Sequence, residues 1–222
     1  MFVTILDLLG FKRHLRDENG TIRPNGLADL YERYFLLLDA KHRATVIDRF
    51  QLTPSNNVEH INTKVQSFVA SDTLMLWSNE NEVNFLIIAV ANLVNQALLY
   101  GAPLRGAIAY GDCILESSKR IFLGYPVVDA VQAEQCQEWI GVGVLPSAAE
   151  HLKGNPAIVE YTVPIKPACP NISIRHALAW HWAEETPNAP EIRLRRLMGL
   201  ADSRDRGKYQ NAIDFITGFP ET

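Results

Sequence analysis

The chain has 222 residues, with 21 Lys+Arg against 25 Asp+Glu, a formal net charge of −4, and 47% hydrophobic residues. This length and apolar fraction support one folded domain with an elaboration and exclude intrinsic disorder as the main state. The basic excess needed to hold nucleic acid by bulk electrostatics is missing, so a phosphate-bearing ligand needs locally placed cations.

The opening run MFVTILDLLGF is apolar but contains Asp7, and it lacks a basic leader and a small-residue cleavage site. It therefore reads as a folded strand over 2–9 ending at Gly10, not as a secretion signal. Residues 12–26 are charged and hold Gly20, Pro24 and Gly26, the pattern of a surface excursion. From Leu27 apolar residues recur at three and four, predicting a helix to about Ala44, and 51–62 is loop-like. Two β-like runs, 64–69 and 73–77, enclose Ala70-Ser71-Asp72 and predict a hairpin with a polar tip.

Residues 82–99 predict a second long helix, stopped by Gly101 and Pro103. Asn92, Asn95 and Gln96 interrupt its apolar run, which marks a buried helix rather than a membrane span. A strand over 104–110 is expected to turn at Gly111-Asp112 and pair with 113–115. A third helix over 124–138, a strand over 140–145, a short helix capped by Ser147, and a strand over 157–165 follow. The order β‑α‑β‑β‑α‑β‑β‑α‑β‑α‑β implies an α+β fold, a ferredoxin-like antiparallel or mixed sheet covered by helices.

After Pro170 the pattern changes to two helices, about 189–199 and 205–217, with a dense aromatic cluster at His176, Trp180, His181 and Trp182. The chain thus divides into a domain over 1–170 and a helical extension over 171–222 packed on it through those aromatics. Arg193, Arg195 and Arg196 read as a solvated basic face. Cys113, Cys136 and Cys169 are odd in number and share no ligand-like spacing, so free thiols, a reducing compartment such as the cytoplasm, and no structural metal are expected.

Two acids stand where acids are costly. Asp7 lies within Ile5-Leu6-Asp7-Leu8-Leu9, and Asp72 lies at the hairpin tip. Taken singly, each is equally readable as an acid that caps backbone donors. Together they are expected to converge beyond neighbouring strand ends, the minimum for holding Mg²⁺ or Mn²⁺ on phosphate oxygens. Gly10 permits close backbone approach of a phosphate, although a strand-ending glycine is commonly only a turn. Arg105, inside Leu104-Arg105-Gly106-Ala107-Ile108, is a second costly placement, its alternative an edge-exposed arginine. Lys166 closes its strand, where a lysine is normally solvated.

Four stretches in chain order carry a family likeness. Ile5-Leu6-Asp7-Leu8-Leu9-Gly10-Phe11 is similar to an "F-x-D-[IV]-x-G-F" first strand, and Lys64 to Asp72 to a "K-x-x-x-G-D" hairpin. Leu104 to Gly111 is similar to "x-R-x-G-I-x-x-G", and Gly124 to Glu134 to "G-x-x-V-N-x-A-x-R-x-E". Over roughly 2–166 the chain resembles the class III nucleotide cyclases.

The resemblance implies that Asp7 and Asp72 hold two Mn²⁺ or Mg²⁺ ions, with the Leu8 carbonyl completing the second site. It implies that backbone amides of Leu9, Gly10 and Phe11 hold the β and γ phosphates, and that Arg105 binds phosphate. Lys166 falls on a lysine supplied by the partner subunit of a head-to-tail homodimer with composite sites. The implied reaction turns a nucleoside triphosphate into its 3′,5′-cyclic monophosphate and pyrophosphate.

The departures bear on activity and substrate. Val128 and Gln132 stand where the family has a transition-state Asn and Arg, and Phe68 and Ile121 stand at the purine-selecting positions. An apolar lining leaves the polar edge of a purine unpaired. The chain in this respect resembles the pyrimidine cyclases of Pycsar antiphage defence, which implies UTP before CTP as substrate and an effector activated through the cyclic product rather than by stable binding. Two alternatives stay open: a catalytically degenerate nucleotide-binding or interaction module, and a purine cyclase. No nucleic-acid or membrane partner is expected.

Overall fold

The computed structural model describes residues 1–10, 21, 64–183, 186 and 188–219. The excursion 12–26 apart from Thr21, the helix expected over 27–44, the loop 51–62 and Phe11 lie outside the described residues. The described part is built on a seven-stranded mixed sheet in the order β2-β3-β1-β4-β7-β9-β8. These strands are β1 (Phe2–Leu8), β2 (Gln66–Ala70), β3 (Thr73–Ser78), β4 (Leu104–Tyr110), β7 (Gly141–Val144), β8 (Ile158–Glu160) and β9 (His176–Leu178). Neighbours pair antiparallel except β4 with β7, which run parallel. A separate ribbon pairs β5 (Cys113–Glu116) with β6 (Ile121–Gly124).

β1 is inner, hydrogen-bonded on both edges, and Phe2, Val3 and Leu6 are fully buried. This is why its sequence reads as a nearly continuous apolar run rather than an alternating one. Gly106 of β4 sits opposite Leu6, and a Cβ there would lie 2.4 Å from the Ile5 carbonyl oxygen. Only glycine lets the two strands approach this closely.

Five helices complete the described fold: α1 (Val83–Leu99), α2 (Tyr125–Cys136), α3 (Pro146–His151), α4 (Ala189–Leu200) and α5 (Ser203–Gly218). The stretch Glu80–Leu99 is long and apolar enough to cross a membrane by length and composition, yet Leu86 to Asn95, Ala97 and Leu98 are buried within this fold. Within it the Asn95 side-chain N–H groups donate to the carbonyls of Ala91 at 3.2 Å and Trp180 at 2.5 Å, while its Oδ1 is buried without a partner among the described residues. The helix stops at Gly101, which takes φ +69°. α2 packs on β1 and β4, and thereby over the end of β1 that carries Asp7.

Several expectations are corrected. Cys113–Leu115 does not pair with the 104–110 strand, because both edges of β4 are already taken by β1 and β7, so β5 folds onto β6 instead. Ser147 does not cap the short helix. Leu145 occupies that position, Pro146 starts the helix, and the Ser147 hydroxyl accepts from the Tyr110 N–H at 3.3 Å. The strand expected over 157–165 is regular only at Ile158–Glu160; beyond it the Tyr161 and Val163 N–H groups still donate to the Arg175 and Ile174 carbonyls, each at 3.0 Å, and Pro164 has no N–H to extend the pairing. Cys136 and Cys169 are not free thiols but a disulfide, with Cα atoms 5.8 Å apart. The 33-residue separation hid the pair. Folding brings it together through the Gln137–Ile165 bridge and the Lys166 N–H donating to the Cys136 carbonyl at 2.8 Å.

The segment 171–222 supplies β9, an inner strand of the main sheet, in addition to the two expected helices. Within this segment the aromatic cluster ties to the end of its last helix. His181 Nε2 and Trp182 Nε1 both hydrogen-bond the Phe219 carbonyl, at 2.7 and 3.1 Å. Phe215 is fully buried with its ring 5.0 Å from that of Trp139 and 4.7 Å from that of Tyr161. The Asn211 amide donates to the Glu138 carbonyl at 2.6 Å, which ties α5 to the chain just after α2.

Candidate active site

Asp7 is the last acid of β1 before the chain turns. In the ladder it lies opposite Thr73 on one side and Arg105 on the other, and side chains at paired positions of antiparallel strands share a face. The β2–β3 turn that carries Asp72 is pinned beside it, because the Leu8 N–H donates to the Asp72 carbonyl at 3.0 Å. Ser71, just before Asp72, holds the left-handed conformation, φ 58°. A non-glycine residue there costs about 1 kcal/mol, and the register delivers Asp72 to the end of β1.

Arg105 is buried and heavily engaged. Its Nε donates to Glu134 Oε1 at 2.7 Å, Nη2 contacts the same oxygen, and Nη1 donates to the Gln137 carbonyl at 2.9 Å. The second face of Nη2 lies 3.6 Å from Asp7 Oδ2. The sequence reading missed Glu134 as a site residue. The signal was present: Ala130, Ala133 and Glu134 fall at helical spacing on the buried face of α2, where a carboxylate demands a cation.

Burial pushes the Asp7 carboxyl up to about 7, with Glu134 and Asp72 adding to the rise and Arg105 and Lys208 opposing it. Burial also raises the Glu134 carboxyl, against the pull of Arg105. Asp7 is therefore a half-buried acid raised first of all by burial, with two carboxylates and two cations acting on it, and a bound cation would favour its charged form. Asp7 and Asp72 together offer hard oxygen ligands that fit Mg²⁺ or Mn²⁺, ions that take one or two carboxylates plus substrate phosphates. Among the described residues no group of three or more His, Cys, Asp or Glu side chains is gathered as a metal site.

Leu9 and Gly10 form the turn after β1. The Leu9 N–H is spent on the Pro103 carbonyl at 3.0 Å. Gly10 takes φ +81° with open space where a Cβ would stand, and Phe11 lies outside the described residues. The Leu8 side chain is buried.

Lys166 is held within its own chain, Nζ donating to the Gln135 carbonyl at 2.5 Å with Glu138 at 3.9 Å. Its ammonium is pushed below its usual value by burial and by Arg105. A single chain thus already brings Lys166 within electrostatic reach of Arg105 and Glu134. Lys208, on α5, also acts on Asp7 and Lys166; nothing in its local sequence marked it.

Phe68 of β2 is half-buried, its ring 4.7 Å from that of Phe122, the neighbour of Ile121 on β6. Val128 is 51% exposed on the outer face of α2, and Gln132 one turn later is exposed too.

No protein-family model and no curated protein sequence matches the chain. Among solved structures it is similar to the catalytic core of a rhodopsin-guanylyl cyclase with converted specificity in complex with ATPαS, at 10% identity and a TM-score of 0.53 over 79% of this chain and 92% of that one. It is similar also to the adenylyl cyclase CyaB from P. aeruginosa, at 9% identity and a TM-score of 0.52 over 80% of this chain and 92% of that one. A bacterial light-regulated adenylyl cyclase matches at 10% identity and a TM-score of 0.50 over 88% of this chain and 56% of that one. The expected α+β fold, a mixed sheet with helices and a helical C-terminal part, is the fold of these cyclases.

Proposed function

We propose that the protein is a divalent-metal-dependent nucleotidyl cyclase, converting a nucleoside triphosphate to its 3′,5′-cyclic monophosphate and pyrophosphate. The observation that carries this reading is the pairing of Asp7 with the Asp72 turn at one end of β1, in a fold shared with adenylyl and guanylyl cyclases. Asp7, Asp72 and the Leu8 carbonyl would hold Mn²⁺ or Mg²⁺, which when bound neutralises triphosphate charge and acidifies the attacking ribose 3′-hydroxyl. The chain's own residues do the positioning. The turn at Gly10 admits the phosphates, Arg105 and Lys166 set a positive field beside them, and Glu134 keeps Arg105 oriented.

UTP is the proposed substrate, with CTP second; its support is the resemblance to pyrimidine cyclases, in which Phe68 and Ile121 stand at the purine-selecting positions, with the Phe68 ring packed on Phe122 beside Ile121. A role in antiphage signalling through a product-activated effector goes with that substrate. A homodimer with composite sites belongs to the same reading. Its support is an exposed apolar patch, Ile114, Leu123, Tyr125 and Val128, which a second copy would cover. A degenerate nucleotide-binding module is favoured by one observation, Val128 and Gln132 on the outer face of α2 where the family pattern has its Asn and Arg.

The test is to incubate the purified protein with Mn²⁺ and each of the four ribonucleoside triphosphates and to identify cyclic products by mass spectrometry, with sedimentation of the same sample. A cyclic pyrimidine product from a dimer is expected. A cyclic purine product overturns the substrate, and binding without turnover favours the module. Asp7→Ala and Asp72→Ala abolish turnover; full activity in either one refutes the metal assignment.

A further inference from the structure

The segment after Pro170 carries cations that the cyclase reading leaves unused. A cavity of about 680 Å³ opens where α4 and α5 face the end of β1, a size suited to a small ligand. Leu9 and Gly10 line one side. Arg193 and Arg196 of α4, with Asp205 and Lys208 of α5, line the other. Three cations against one carboxylate leave that wall with a charge of +2 in a chain whose net charge is −4. The structure divides the basic run that reads as one solvated face. Arg195 turns away to Glu191, 2.8 Å from it. Arg193 and Arg196, one helical turn apart, face the cavity.

Lys208 is held in place rather than waving in solvent. Its side chain is only 16% exposed and sits 2.9 Å from Asp205, and its charge reaches both Asp7 and Lys166. The anchoring of α5 by Phe215, Asn211 and Phe219 fixes that position. Arg196 makes no ion pair or hydrogen bond among the described residues, so its guanidinium is available for a ligand. Opposite it Gly10 presents backbone at φ +81° with nothing within 4 Å of a Cβ position, an approach open to an anion.

We propose that α4 and α5 form the cationic wall of a phosphate-chain binding site whose other wall is the β1 turn, with Arg196 and Lys208 as the contacting groups and Arg193 beside them. The anion site stands on this cavity alone; identifying its occupant as the triphosphate of the substrate rests on the cyclase reading. On that identification the C-terminal helices hold, within one chain, the phosphates that Asp7 and Asp72 would share with a metal ion.

The test is calorimetric titration of the full chain with inorganic tripolyphosphate, in EDTA so that metal binding does not contribute. Wild type is expected to bind at one site per chain. Arg196→Gln and Lys208→Gln each weaken binding by about ten-fold or more, the effect of losing one charge-assisted hydrogen bond. Arg196→Lys restores most of it, and Arg195→Gln changes affinity less than about two-fold. Circular dichroism melts of the variants report folding separately. Absence of tripolyphosphate binding by wild type, wild-type affinity in the Arg196→Gln/Lys208→Gln variant, or tighter binding in that variant overturns the proposal; the last shows that the helices cover the site instead of building it. Loss of tripolyphosphate binding in the double variant together with no cyclisation of any nucleotide by wild type retains the anion site and overturns the cyclase reading alone.

Discussion

Replacing Asp7 by Asn is expected to make the metal-free protein more stable than wild type at pH 8. The folded Asp7 carboxyl titrates near 7 against 3.8 for the unfolded chain. Between those values the folded state keeps a proton that the unfolded state has lost, so the Asp7 contribution to stability falls as pH rises through the window. The gap of about 3 pH units corresponds to a ceiling of about 4 kcal/mol. Solvent reaches 24% of the side chain, which brings the expected gain for Asp7→Asn at pH 8 to about 2 kcal/mol. Asn preserves the shape, and Arg105 keeps Glu134 and the Gln137 carbonyl. The assay is urea denaturation in EDTA at pH 5, 6.5 and 8, read as the difference between the two proteins. That difference removes the parallel effect of Glu134 and the opposite effect of His181. Adding Mn²⁺ at pH 8 is expected to raise the wild-type midpoint and leave Asp7→Asn where it was. An Asp7→Asn protein less stable than wild type at pH 8, or equally responsive to Mn²⁺, would show that the carboxylate is satisfied by the fold and not reserved for a cation.

Burial holds the His181 imidazole down to about 4; the unfolded chain therefore takes up its proton first on acidification, and up to about 3 kcal/mol is lost as pH falls from about 6.5 to 4. His181→Gln, which keeps a donor for the Phe219 carbonyl, flattens that acid limb in a pH series of thermal melts; an unchanged limb contradicts the buried, neutral histidine. Arg105→Met strands Glu134 in the interior and costs about 3–5 kcal/mol in urea titrations, while Arg105→Met with Glu134→Met recovers most of it. Similar stability of the single and double variants would mean that the pair is not coupled. Reduction of the Cys136–Cys169 bond releases a loop of 33-residue separation and is expected to cost about 4 kcal/mol by loop entropy. A melting temperature indifferent to reductant, with both thiols titrated as free, refutes that estimate.

Much of the architecture is local in origin. The apolar run of β1, the polar tip at Ser71-Asp72, the Gly101-Pro103 stop and the helical periods of 82–99 and 124–138 are short-range signals, and the corresponding elements form within a few residues of where they are expected. Asp7 and Arg105 stand out in sequence for the same reason: a charge inside an apolar run is conspicuous wherever its partner lies. β9 escaped notice because three residues carry too little periodicity to register, and their strand character comes from the gap between β7 and β8 that they fill.

The amino-acid order by itself determined that one acid, Asp7, and one arginine, Arg105, had to be answered by long-range partners, because uncompensated charge in an apolar strand is too costly to persist. Only the tertiary structure decided who answers. Glu134 takes Arg105, Cys136 finds Cys169, and Lys208, about 200 residues along the chain from Asp7, lends its field to that acid. Such pairings depend on which strand lies next to which and on where a distant helix comes to rest, and those are settled by burial of the whole core rather than by the residues around each group.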